Sequence, residues 1–103
     1  MTAHLLVVYP TPKNADDFDR DYKEKHLPYA GPRLKGATSV VTKCVVGPAF
    51  APPPYHMISD VTFPSIDVLK ACAMSDGGKE ALAHAASISS GGQPTLMVVV
   101  DDK

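Results

Sequence analysis

Ala3–Tyr9 is an apolar, β-branched run closed by Pro10 and Pro12, the pattern of a buried strand. A helix then begins at Asn14 or Asp16, with Asp16, Asp17 and Asp19 in its first turns, where the helix dipole favours negative charge. Phe18, Tyr22 and His26 recur every four residues, with Ala15 and Tyr29 close to the same stripe, so one face carries the large side chains. Lys23, Glu24 and Lys25 fall off that face toward water. Pro28 lies inside the helical pattern, lacks a backbone donor, and is expected to kink or end the helix near Leu27. A short continuation over Tyr29–Leu34 follows, with Gly36 as its stop.

Gly36–Val46, rich in Val and Thr, predicts a second strand. Gly47–Pro54 is a proline-rich loop whose Pro52-Pro53-Pro54 run is expected to be extended and stiff. Tyr55–Phe63 alternates as a third strand: Tyr55, Met57, Ser59, Val61 and Phe63 to one side, His56, Ile58, Asp60 and Thr62 to the other. Ser65 caps a second helix whose buried face holds Ile66, Leu69 and Ala73. Ser75–Gly78 interrupts it, Asp76 could cap a further piece over Lys79–Ile88, and Ser89–Gln93 is a loop before a last apolar strand, Pro94–Asp101. The order β-α-β-β-α-β predicts one α+β ferredoxin-like domain over residues 1–103. Right-handed crossovers give a four-stranded antiparallel sheet with both helices on one face and the first and third strands central.

The uncovered face of such a sheet should be polar if it met water. Instead the first strand is apolar in both parities (Leu6 and Val8 against Leu5 and Val7), and so is the last (Leu96, Val98 and Val100 against Met97 and Val99). A second copy packed sheet to sheet would shield it, so a homodimer through the sheet is expected. Its 103 residues also make only a modest core on their own.

Composition narrows the functions. A net charge of −1 without a basic stripe argues against nucleic acid. The longest apolar run, Leu96–Val100, is far short of the ~20 residues of a membrane helix. Leu5–Tyr9 is too short for a signal peptide, and a cytoplasmic location is expected. Cys44 and Cys72 read as buried small hydrophobes, and no histidine pair has helical metal-ligand spacing, so no metal is expected.

His26 is the leading catalytic candidate, because imidazole exchanges protons near neutrality and this one lies on the apolar stripe with Tyr22. The competing reading is a core histidine satisfied by a backbone carbonyl, or a helix-end histidine meeting the carbonyls freed by Pro28. Asp60 is second: it could orient His26 or act as a base, or sit on a solvated rim. Tyr22, Tyr9 and Tyr55 offer phenols that could hold a substrate oxygen, though aromatics at such spacing also simply fill cores. His84, four residues after Glu80, reads as half of an exposed pair.

The segment Phe18-Asp19-Arg20-Asp21-Tyr22-Lys23-Glu24-Lys25-His26-Leu27-Pro28 resembles the EthD family, with an aromatic, a Tyr-containing helical turn and His-X-Pro following an apolar strand. Leu5–Pro10, the Gly91-Gly92 loop and Thr95–Val99 extend the resemblance over nearly the whole chain. It implies a dimeric α/β barrel with a pocket for a small hydrophobic molecule, and adds Phe18 to the expected substrate contacts. It does not imply one reaction. Related families include cofactor-free monooxygenases, polyketide cyclases and lactone isomerases, and EthD is associated with ether degradation. The expectation is a cofactor-free enzyme working by proton transfer or oxygenation. A non-catalytic ligand-binding or accessory protein of an oxidative pathway is the alternative, and haem held by a histidine, known in the larger group, is a third.

Overall fold

The computed structural model describes residues 2–48 and 54–101. Strand β1 (Ala3–Pro10) leads into helix α1 (Ala15–Asp21), a π-helical turn (Tyr22–His26), the short helix α2 (Leu27–Ala30) and a 3-10 turn (Gly31–Arg33). Strands β2 (Ser39–Cys44) and β3 (Tyr55–Phe63) follow, then helices α3 (Ile66–Met74) and α4 (Asp76–Ile88) and strand β4 (Thr95–Val100). The sheet order is β2-β3-β1-β4, antiparallel throughout, with β1 and β3 central. This is the ferredoxin-like α+β architecture that the element order implies.

The sheet's alternation decides what each strand buries. Ala3, Leu5, Val7 and Tyr9 of β1 and Met57, Ser59, Val61 and Phe63 of β3 face the helices and are buried, and Phe18, Tyr22, Leu69, Cys72 and Ala85 close over them. His4, Leu6, Ile58, Asp60 and Thr62 point to the opposite face and are half-buried. Strand β4 is only partly covered: Leu96, Val98 and Val100 on one side and Met97 and Val99 on the other are 38–50% exposed.

The local starts and stops follow side-chain chemistry, with several adjustments to the sequence reading. Asn14 caps α1 by accepting from the Asp17 N–H, and Ser65 caps α3 by accepting from the Val68 N–H. The cap of α4 is Ser75 rather than Asp76: its Oγ accepts from the Gly78 N–H and donates to the Cys72 carbonyl, tying the end of α3 to the start of α4. Strand β2 is shorter than Gly36–Val46, because Gly36, at φ 92°, and Ala37 are spent on the turn. Val45 still donates its N–H to the His56 carbonyl. Cys44 sits exposed on that edge strand, so it does not fill core; Cys72 does. Pro52 and Pro53 of the proline run lie outside the described residues.

Pro28 does not end the helix. Its ring would crowd the carbonyl four residues back, and the backbone answers by widening one turn earlier. The Leu27 N–H bonds to the Tyr22 carbonyl, five residues back, and Pro28 then sits at the start of α2, where a missing N–H matters least.

At Gly78, buried at the start of α4, a Cβ would run into the Cys72 carbonyl. Alanine is ordinarily worth about 1 kcal/mol over glycine inside a helix. Here the sign reverses: Gly78→Ala is expected to lower the urea midpoint of unfolding, and an unchanged or raised midpoint would contradict this packing of α3 against α4.

Candidate functional site

The π turn rotates His26 into the layer between sheet and helices, where it is 6% exposed. There it borders a small cavity of about 20 Å³. Leu5, Val7, Ser59 and Val61 form the sheet side, and Ala30, Leu34, Ala81, Leu82 and Ala85 join His26 on the helix side. Among the described residues, His26 and Ser59 are the polar members of an otherwise aliphatic wall.

The two polar members are held differently. Tyr22 donates its hydroxyl proton to Ser59 Oγ at 3.1 Å. A phenol has one proton, so the 2.9 Å contact with Thr42 Oγ1 is donated by Thr42. Ser59 therefore accepts from a fixed phenol and keeps its own proton. His26 Nδ1 lies 3.0 Å from His84 Nδ1, with the two rings nearly parallel. Burial, and secondarily the charge His84 would carry, push the His26 imidazole down to about 4 from its ordinary 6.5. At neutral pH it is an uncharged ring.

His84 is the residue that sequence reading placed wrongly. It does not form an exposed pair with Glu80. Glu80 instead accepts from Arg33 Nε at 3.3 Å and from the Tyr29 hydroxyl at 3.4 Å. His84 is half-buried between His26 and Tyr29, whose ring stacks on it at 4.5 Å. The Arg33 guanidinium lies 3.7 Å from the Tyr29 ring centre. The signal existed: His84 shares the stripe Ala81, Ala85, Ile88 of α4.

The other expected site residues fall elsewhere. Asp60 lies across the sheet from His26 and cannot orient it. Its carboxylate accepts from His4 Nδ1 at 2.9 Å and pairs with Lys43 at 3.6 Å, while His4 Nε2 meets Asp101 at 2.9 Å. The Asp60 hydrogen bond, opposed by partial desolvation and helped by Asp101, raises the His4 pKa above its ordinary value. Tyr9 and Phe18 are core: with Tyr22 they form an edge-and-stack aromatic cluster, centroids 5.0–6.2 Å apart. The buried Tyr9 hydroxyl has no partner among the described residues, and burial raises its pKa. Tyr55 is exposed at the start of β3 and borders no part of this cavity. The register shift beside it turns His56 toward α1, where its Nε2 meets Asp19 at 2.8 Å. Among the described residues no group of three metal-type side chains converges, and no helix is long and apolar enough to cross a membrane. The cavity beside His26 has no room for a porphyrin in this form.

The fold defines a ferredoxin-like protein with a buried imidazole. No family model and no curated protein matches the sequence. Solved structures do. An EthD-family protein from Bacillus halodurans is similar over 99% of this chain and 100% of its own, at TM-score 0.85 and 20% identity. An EthD-like protein from Ralstonia eutropha matches over 95% and 89%, at TM-score 0.74 and 22% identity. A dimeric ferredoxin-like protein of unknown function from Jannaschia matches over 97% and 98%, at TM-score 0.65 and 18% identity. At these identities the likeness establishes the shared fold.

Because the folded chain holds His26 at about 4 while an unfolded one would sit near 6.5, the unfolded state takes up the proton first on acidification. The stability this neutral ring contributes is complete above pH 6.5, drains away between pH 6.5 and 4, and is constant below. Its full size is on the order of 3 kcal/mol. The difference in unfolding free energy between pH 7 and pH 4.5 should therefore shrink in His26→Gln relative to the native chain; equal differences would show that His26 titrates normally.

Proposed function

We propose that the chain is a cofactor-free enzyme of the EthD type that moves a proton on a small, largely apolar carbonyl compound, with His26 as the proton carrier. The observation that carries this reading is a neutral imidazole facing an aliphatic cavity whose other polar group is a hydroxyl primed by a buried phenol. An uncharged ring in such a place can accept a proton, and burial strengthens its response to charge developing beside it. Ser59, receiving the Tyr22 proton, can donate its own to the oxygen of an enolate. Tyr22 and Ser59 thus form the oxygen-holding pair. Tyr9, Phe18 and Tyr55 are left as framework.

A 20 Å³ cavity holds about one water, so a substrate is admitted by movement of the wall. The half-buried Leu34 and Leu82 are the members of that wall nearest solvent. The protein acts as a homodimer joined through the uncovered sheet face. Leu6, Ile58, Val41, Met97 and Val99 make that face apolar, and a similar structure is described as dimeric.

The chemical test is isomerisation of α-angelica lactone to its conjugated isomer, a shift of one proton from C3 to C5 through a dienolate. The native chain should accelerate it, His26→Gln should lose at least about 100-fold, and Ser59→Ala should lose a smaller factor. Full activity in a folded His26→Gln variant would overturn the reading. Retention of lactones without any proton exchange would make the molecule a binding protein instead. For the assembly, light scattering on the native chain should give twice the chain mass, and Met97→Lys should shift it toward the single subunit.

A further inference from the structure

We propose that His84 is the outer member of a two-imidazole proton relay that connects the cavity to solvent through His26. This inference rests on the reading of His26 as the proton carrier and adds to it a route and a second residue. The geometry is the starting point. Two neutral imidazoles can approach Nδ1 to Nδ1 at 3.0 Å only if one carries its proton on Nδ1 and the other on Nε2. The two tautomers are therefore interlocked: changing one requires changing the other. Among the described residues no hydrogen bond is made by His26 Nε2, while Nδ1 is committed to His84.

The relay follows from moving protons through that contact. In the active arrangement His26 holds its proton on Nδ1 and its Nε2 is bare. A substrate C–H bond breaks and its proton goes to Nε2, leaving the electron pair in an enolate. The Nδ1 proton passes to His84 Nδ1, and the proton on His84 Nε2 leaves to water. Both rings end neutral with their tautomers exchanged. Protonation at the second carbon runs the sequence backward: Nε2 of His26 gives up its proton to carbon, His84 returns the Nδ1 proton, and His84 Nε2 takes one from water. Charge and atoms balance over the cycle, and no co-reactant is needed.

The surroundings of His84 suit an outer station. It is half-buried, whereas His26 is not, so one ring meets the cavity and the other the exterior. Tyr29 fixes its plane by stacking at 4.5 Å. Tyr29 is itself held between Arg33, at 3.7 Å from its ring centre, and Glu80, which accepts from both. Arg33 and Glu80, the charged groups in this cluster, pair with each other at 3.3 Å, so neither places a lone charge beside the imidazoles.

Two measurements decide it. Long-range proton–nitrogen correlations of the histidine rings at pH 7, with no substrate present, should show His26 and His84 in opposite tautomers; both in the Nε2–H form would overturn the relay. Angelica lactone isomerised in mixtures of H₂O and D₂O supplies the second. In the native chain the migrating position should keep its own hydrogen, while the rate falls about twofold or more in D₂O, because the His26 Nδ1 and His84 Nε2 protons, both exchanged with solvent, move with each abstraction. In His84→Phe, which keeps an aromatic ring against Tyr29, isomerisation should continue with His26 alone carrying the proton from C3 to C5, and the solvent isotope effect should fall toward one. An equal solvent isotope effect in the two proteins refutes the relay and leaves the role of His26 intact. Absence of turnover in the native chain refutes the proposed reaction, and the tautomer measurement then judges the pair by itself.

Discussion

A helix that must pass a proline has to rearrange the hydrogen bonds before it, and the site depends on how this chain does so. Pro28 cannot donate, and its ring crowds the preceding turn. The backbone responds with a five-residue step from Leu27 back to Tyr22, and that step carries His26 into the interior. A regular helix through the same residues would turn His26 through a larger angle and direct it differently against β1 and β3. The placement of Tyr22 at the start of the same turn, with its hydroxyl on Ser59 and Thr42, makes the turn a two-point attachment of helix to sheet.

Much of this organisation was legible in the residues. Tyr55–Phe63 is a strand with the bounds its alternation gives, and Ser65 caps the helix it was expected to cap. The position of Asp60 was legible too, in hindsight of principle: Met57, Val61 and Phe63 mark the helix side, so the intervening Asp60 belongs to the opposite face. What could not be read was contact between distant elements. The meeting of His26 with His84 is set by how α4 crosses the π turn, a matter of packing over a separation of 58 residues. The π turn itself was foreseen only as a break near Pro28, because sequence shows where a ladder must change but not which change wins.

Among the described residues most buried polar groups come in matched sets, and two side-chain oxygens, the Tyr9 hydroxyl and Asp21 Oδ1, have no hydrogen-bond partner. Tyr22, Ser59 and Thr42 satisfy one another, as do His26 and His84. On the other side of the sheet His4, Asp60, Lys43 and Asp101 form a charged network within an apolar surface. Such a network fixes orientation: any surface laid against this face must either leave those charges wet or meet them with complementary groups. Asp21 Oδ1 keeps the longer ion pairs with Lys25 and Arg20, at 3.4 and 3.6 Å, whereas the Tyr9 hydroxyl has no partner among the described residues, so the surrounding aromatic cluster holds that ring.

Strand β4 is joined to β1 by a regular ladder, yet its side chains are half-exposed on both sides. Its backbone belongs to the sheet while about half of its side-chain surface stays open on either face. Substitutions there are nearly invisible to the interior, so selection or an engineer can rewrite that strip for a new association, or for greater solubility, without disturbing the machinery beneath the helices.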